Sequence, residues 1–491
     1  MIKEGAIVMT ISGKDFINRI DHLKSDIWVD GNKIVGKVSE HPAFRGVMKS
    51  KAQLFDMQND PALRDVFTFI SPKTEERVGF SYHQPKTKDD LLFRQKATEL
   101  WAQKNFGLLG RSPDYVNTGM MVLAAAHQLF GAKDKKLGEH ILQNYESAMD
   151  QDLTFTHTFI NPQVNRSISY LEDSDSEANI AAKVIGENSE GIIIQGARLL
   201  ATQGGITDEI LVLPAGGNFI EDAYIYGFTV PSNAQGLKFI CRESFVNDEG
   251  SSFNYPLGSR FEEMDSIVVF DHVLVPWEKV FLYKDINIAH RFFSEANFNT
   301  MLLFQAVVRM IVKTEFILGL AESVVEAINI GEYQHIQDKM SEIIAALEIM
   351  KGLHLSSQVN AELDEWGTMI PDAKPLQVAI HYYPRVYPRL VEILQLLGGS
   401  GLILLPAEKS FESPIRKYID TYLQGSNSTA EDRVRLFRLV WDLCMSAFGT
   451  RQTHYERFFF GDPVRLAMGL YNGYPKNEYM KRVGTFLREN K

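Results

Sequence analysis

The sequence predicts an α+β protein in three consecutive blocks: a helical N-terminal domain (residues 1–150), a middle β domain (151–281) and a C-terminal helical bundle (282–491). Three observations carry this. Apolar residues recur at helical spacing through the first block. Short β-branched runs separated by turn residues fill the second, with no alternation of strand and helix. Long amphipathic segments dominate after residue 285, and helices of that length packed side by side make a bundle. No internal repeat or low-complexity linker separates the blocks, so they are expected to pack tightly.

In the first block a helix is expected near 13–23, then a hairpin over 27–35 turning at Asp30-Gly31-Asn32. Thr87-Lys-Asp-Asp90 reads as a capping box opening a helix to about 105, with Leu91, Leu92, Ala97, Leu100 and Trp101 as its buried stripe. In Gly110-Arg111-Ser112-Pro113-Asp114-Tyr115, Ser112 is a natural N-cap, Pro113 suits the first helical position and Asp114 the second. That helix is expected to continue through Met120, Ala124 and Leu129, and another to run over 136–149. Strands are expected at 153–160, 181–185, 191–200, 209–213, 223–230, 237–241 and 266–275, forming an antiparallel sandwich or barrel. The bundle helices read at 298–328, 334–363, 387–397 and 428–460, the last opening with the capping box Ser428-x-x-Glu431.

A chain of 491 residues, 45% hydrophobic and 23% charged, can bury a large core. A net charge of -11 without a concentrated basic patch excludes a nucleic-acid surface. The two cysteines, Cys241 and Cys444, lie far apart, which excludes a cysteine-ligated metal site and suits a reducing cytosol. No signal pattern opens the chain, and no apolar run reaches the ~20 residues of a membrane span. The nearest, 394–405, is broken by Gly398, Gly399 and Gly401. A cytoplasmic protein is expected.

Residues 153–160 alternate strictly. Phe155, His157 and Phe159 share one strand face, with Thr154, Thr156 and Thr158 on the other. An imidazole in an apolar wall, beside the polar turn Gln163-Val164-Asn165-Arg166, suits proton transfer on a bound aromatic; a core histidine satisfied by a carbonyl fits the same pattern. Arg111 and Tyr115 bracket a helix N-terminus, where orphan N–H groups and a guanidinium favour an anion such as a phenolate. A capping arginine and a core tyrosine fit equally. The glycines after Gln395, namely Gly398 and Gly399, permit close backbone approach or simply end a helix. Gly449-Thr450-Arg451-Gln452, read as lying within a helix, could approach a cofactor or be a solvated turn, and Thr202 is a lone hydroxyl at a strand end. Neither a dinucleotide-fold glycine motif nor a P-loop occurs.

Together these residues resemble the oxygenase component of the two-component 4-hydroxyphenylacetate 3-hydroxylases. The matching runs begin at Gly110, Thr156, Gly196, Phe270, Leu394 and Phe448, and they lie in the family's order along the whole chain. The resemblance implies an acyl-CoA-dehydrogenase-like fold with a C-terminal four-helix bundle, assembled as a homotetramer. It implies that FAD, reduced by a separate NAD(P)H-dependent reductase, reacts with O2, and that a phenol is hydroxylated ortho to its hydroxyl. By the same carry-over, Arg111, Tyr115 and His157 would surround the phenol hydroxyl, with His157 as general base or hydrogen-bond partner. Gln163, Val164, Asn165, Arg166 and Thr202, next to His157, would hold the flavin. Gln395, Gly398, Gly399, Gly449, Thr450, Arg451 and Gln452 would bind its other end, partly from a neighbouring subunit. One departure stands out. Ala215 and Gly216 occupy positions where family members acting on 4-hydroxyphenylacetate carry small hydroxyl residues for the substrate carboxylate, which leaves room for other phenols. An acyl-CoA-dehydrogenase-like flavoenzyme acting on a CoA thioester is the alternative. The dehydratases of this fold need three cysteine ligands, and only two cysteines exist.

Overall fold

The computed structural model describes residues 10–162, 180–214, 221–246 and 251–489. Helices Gly13–Leu23, Pro42–Asn59, Lys88–Lys104, Pro113–Ala125 and Lys135–Asp150 form the N-terminal part. The capping box at Thr87 forms as the sequence indicates, with Thr87 accepting from the Asp90 amide and Asp90 from that of Thr87. Its buried stripe differs from the expectation. Leu92 is exposed, and Arg94 is buried in its place. Successive helical residues diverge by about 100°, so Leu91 and Leu92 cannot share the face that continues through Arg94, Ala97 and Trp101. Arg94 is tolerated there because its Nη1 donates to the carbonyls of Phe80 at 3.1 Å and His83 at 2.7 Å. The Pro113 helix ends at Ala125, and a separate single turn follows at His127–Phe130.

The β region holds two sheets. One has six strands in the order Asn32–Lys33, Asp26–Val29, Leu237–Cys241, Asp265–Pro276, Gly191–Thr202 and Lys183–Glu187. The other runs Val280–Tyr283, Tyr226–Pro231, Glu209–Val212 and Phe155–Thr158. Neighbours are antiparallel except in two pairs, Asp26–Val29 with Leu237–Cys241 and Phe155–Thr158 with Glu209–Val212. Both exceptions are pairings between strands distant in sequence, which no hairpin constrains to run antiparallel. The first strand of the predicted hairpin thus leaves the N-terminal helices and extends the larger sheet.

The C-terminal part is helical: Phe298–Ala327, Gln334–Val359, Ala373–Gly398, Ala430–Cys444 and Ala447–Phe458, then Pro463–Gly473 and Lys476–Glu489. The helix expected to start near Tyr387 begins at Ala373 and runs through Pro384 and Pro388. The segment expected as one helix over 428–460 is two. Thr429, not Ser428, caps the first by accepting from the Asp432 amide. Ser446 caps the second by accepting from the Gly449 amide at 3.1 Å.

Two histidines outside the site are desolvated, His354 buried and His83 half-buried. Desolvation pushes His354, stacked on Phe304, down to about 4, and does the same to His83 with help from Arg94. In the unfolded chain both take up protons near pH ~6.5. Their contribution to stability is therefore whole above that pH and is lost as pH falls toward 4. The melting temperature should drop across that window, and His354→Gln should make the drop shallower.

Candidate active site

The Phe155–Thr158 strand is buried on both faces. Its threonines bind neighbouring backbone: Thr156 Oγ1 donates to the Thr202 carbonyl at 2.6 Å and Thr158 Oγ1 to that of Leu199 at 2.8 Å. This leaves the other face to the rings. His157 stacks on Phe159 with centroids 4.1 Å apart and an angle of 4°, and Phe293 and Phe298 pack edge-on to Phe159. Both imidazole nitrogens are buried, and neither has a hydrogen-bond partner among the described residues. Burial, then the nearby Arg111 charge, holds His157 well below the ordinary histidine value, so the ring is neutral.

Arg111 and Tyr115 come to the same place. Glu263 accepts the amides of Gly110 and Arg111, each at 2.8 Å, and so pins the loop. The guanidinium then lies between two rings, 5.0 Å from the centroid of Tyr115 and 4.6 Å from that of Phe459. Tyr115 stands 5.8 Å from His157, centroid to centroid. Arg111 Nε is buried without a partner among the described residues. The source of the anion preference differs from the sequence reading. Ser112 does not cap the helix; it donates to Asp114, which also receives Thr98 at 3.0 Å and Gln305 at 3.2 Å. The Asp114 carboxyl at the helix start is thus engaged by three side chains. The attraction for an anion comes from the guanidinium.

Several residues here were not singled out from the sequence. Asp265 receives Thr202 Oγ1 at 2.7 Å, Arg451 at 2.7 and 3.1 Å, and Arg242 at 3.1 Å. Burial would raise its pKa, but Arg451 and Arg242 hold the carboxyl far below the usual range. Thr202 and Arg451, both read as candidates, are therefore joined through one carboxylate. Behind Arg111 lies a buried charge cluster. Glu456 accepts from Arg309 Nη1 at 3.1 Å and from Lys313, and all three side chains are at most 2% exposed. The signal for the cluster is present in the sequence: Arg309 and Lys313 are cations four apart in the mostly apolar run from Met301 to Val312 and the turn after it.

The other candidates form a second group. Gln395 Nε2 donates to the Cys444 carbonyl at 3.2 Å. Gly399, at φ 50°, ends its helix in a backbone conformation that glycine tolerates. Gly449 lies at a helix start rather than mid-helix, where a Cβ would stand 2.3 Å from the Leu443 carbonyl oxygen, and Thr450 is exposed. Gly398 is buried against Leu402. Gln452 accepts from Lys313 Nζ at 3.2 Å and donates to the Leu108 carbonyl at 3.0 Å. Gln163, Val164, Asn165, Arg166, Ala215 and Gly216 lie outside the described residues.

Buried polar atoms of this region that lack a hydrogen-bond partner among the described residues include His157 Nδ1 and Nε2, Arg111 Nε and Gln203 Oε1, while Arg451 Nη1 keeps an ion pair with Glu263 at 3.6 Å. They lie beside aromatic walls. Such a set fits a planar ligand carrying several polar atoms on its edge, together with a hydroxyaromatic.

Comparison with known proteins gives a consistent picture. The family described as "4-hydroxyphenylacetate 3-hydroxylase N terminal" matches residues 12–282, and "4-hydroxyphenylacetate 3-hydroxylase C terminal" matches residues 289–488. A probable 4-hydroxyphenylacetate 3-monooxygenase of Bacillus subtilis (strain 168) is 53% identical over 477 residues, covering 97% of this chain and 98% of its own. The 4-hydroxyphenylacetate 3-monooxygenase oxygenase component of Geobacillus sp. (strain PA-9) is 45% identical over 482 residues, covering 97% and 96%. Among solved structures, the oxygenase component of 4-hydroxyphenylacetate 3-monooxygenase complexed with FAD and 4-hydroxyphenylacetate superposes with a TM-score of 0.92 at 39% identity, over 98% of this chain and 99% of that one.

Proposed function

The chain belongs to the 4-hydroxyphenylacetate 3-hydroxylase family, and on that premise we propose how its residues carry out the family's reaction. It is the oxygenase component of a two-component monooxygenase with the acyl-CoA-dehydrogenase-like fold. With O2 and FADH2 from a separate NAD(P)H-dependent reductase, it hydroxylates a phenol, 4-hydroxyphenylacetate or a relative, ortho to its hydroxyl. The observation that carries the mechanism is the meeting of Arg111, Tyr115 and His157, whose ring nitrogens have no hydrogen-bond partner among the described residues, in one apolar wall.

A free phenol ionises near pH ~10. Beside the Arg111 guanidinium its anion is favoured, and an aromatic ring with phenolate character is more readily attacked by an electrophilic oxygen. Burial raises the pKa of Tyr115 well above its usual value, so it stays protonated and donates to the substrate oxygen. His157, neutral and weakly basic, accepts the hydrogen bond of the phenol hydroxyl and steers its proton away from the ring. Thr202 and Arg451, set by Asp265, would hold FAD together with Gln163, Val164, Asn165 and Arg166. Gln395, Gly398, Gly399, Gly449 and Thr450 would serve the cofactor of a neighbouring protomer in a homotetramer. Bound reduced FAD supplies the activated oxygen that enters the ring. Phe155, Phe159, Phe298 and Phe459 keep water away from that step. Ala215 and Gly216 bring no hydroxyl for a substrate carboxylate, so phenols lacking the acetate arm fall within the substrate range. No helix among the described residues is long and apolar enough to cross a membrane, which accords with a cytoplasmic enzyme.

The acyl-CoA dehydrogenase alternative calls for a free carboxylate base in the bundle. Glu456 is taken by Arg309 and Lys313, and Asp442 accepts the amides of Leu257 and Gly258. Neither is placed to take a proton from a thioester.

The test is one assay with the purified protein, a generic flavin reductase, NADH and a panel of phenols. Catechol formation is expected; peroxide alone with every phenol would refute the reading. His157→Ala should keep reduced-flavin binding nearly intact and abolish product. Unchanged hydroxylation in that variant would remove the imidazole from the mechanism.

A further inference from the structure

We infer that Tyr455 is the positioning residue that aims the Arg111 guanidinium at the substrate oxygen. The inference rests on the reading of Arg111 given above. Tyr455 lies on the Ala447–Phe458 helix, far in sequence from the Gly110 loop, and nothing in its local pattern sets it apart from a core aromatic. Its hydroxyl oxygen accepts from two guanidinium groups at once, Arg111 Nη1 at 3.4 Å and Arg309 Nη2 at 3.5 Å. Each bond is long, so neither is strong alone. Their convergence matters because the two cations would otherwise repel across a desolvated space. A hydroxyl lone pair between them gives Arg111 a reason to keep Nη1 turned inward, where it also meets the Gly110 carbonyl at 3.4 Å.

The Tyr455 ring is itself held. It stacks on Phe459 with centroids 4.6 Å apart, and the guanidinium carbons of Arg309 and Arg451 lie 5.3 and 5.1 Å from its centroid. Phe459 in turn forms one wall of the Arg111 slot. The same helix and its C-cap therefore supply both the flat surface under the guanidinium and the acceptor for one of its nitrogens, and Nε has no partner among the described residues. Gly110 completes the arrangement. A Cβ there would stand 2.4 Å from the Tyr455 hydroxyl and 3.2 Å from Glu263 Oε2, so only glycine lets the loop approach this closely.

The experiment reads the ionisation of 4-nitrophenol, whose phenolate is yellow and whose phenol is not, on the protein with oxidised FAD present. On the wild type the bound phenol should ionise at lower pH than the free one. Tyr455→Phe keeps the ring stack and removes the acceptor; the bound phenolate-to-phenol ratio should fall by about 3- to 10-fold with the melting temperature little changed. Arg111→Ala should abolish the shift. A wild-type ratio in Tyr455→Phe beside a lost shift in Arg111→Ala overturns the role of Tyr455 and leaves that of Arg111 standing. No shift in the wild type, or an unaltered one in Arg111→Ala, overturns the reading of Arg111 itself. Should Tyr455→Phe not fold, Gly110→Ala, which crowds the hydroxyl from the other side, is judged by the same ratio.

Discussion

Arg111→Ala should lower the rate of hydroxylation by about 10²–10³-fold, the usual result of deleting a preorganised group that faces developing charge. The guanidinium is buried between Tyr115 and Phe459, where its field is weakly screened, and its charge is felt at the His157 imidazole. Oxidation of the reduced flavin does not need this charge, so NADH should still be consumed and peroxide should replace catechol. Measuring both products separates loss of the phenol step from loss of flavin binding. Arg111→Lys is expected to restore only part of the rate. An ammonium neither lies flat between two rings nor reaches Tyr455 in the same way. A variant that keeps wild-type coupling would place the phenolate elsewhere.

Glu456→Gln should cost about 3–5 kcal/mol, because it leaves Arg309 and Lys313 buried without their counter-charge. Set against a typical total of roughly 5–15 kcal/mol, that is enough to prevent accumulation of folded protein at growth temperature. Burial alone would raise the Glu456 pKa; Lys313 and Arg309 overcome it and hold the carboxyl below its usual value. Lys313 is pushed down to about 8, chiefly by desolvation. The cluster therefore sits near balance only with all three members present. Lys313→Met in the Glu456→Gln background should recover part of the loss, measured as the midpoint of urea unfolding. No loss in the single variant would mean that the two cations find other partners.

Much of this site could be read before folding was considered. Ser112-Pro113 marked a helix start, and the 153–160 alternation marked which strand residues face the same way. Both depend on chemistry within a few residues, and both elements formed. What failed did so for a common reason. Leu92 was assigned inward by its character, whereas the neighbours of its helix favoured Arg94 because carbonyls of another segment stood ready to receive it. The 428–460 segment read as one helix because its periodicity barely falters at Met445-Ser446. The break is set by Ser446 capping Gly449 and by the close packing of that glycine on Leu443.

By itself, the sequence determined the order of helical, β and helical blocks, and the chemical types available for binding a phenol: a guanidinium, a tyrosine and an imidazole on separate segments. Those properties follow from local periodicity and residue chemistry. Only the tertiary structure decided that Arg111 slots between Tyr115 and Phe459, that Glu263 ties its loop to the β region, and that Glu456 pairs with both Arg309 and Lys313 behind it. Each of those facts joins residues more than a hundred positions apart or depends on a third segment closing over them. The energy of a buried charge is set by what surrounds it in space, which no stretch of neighbouring residues contains.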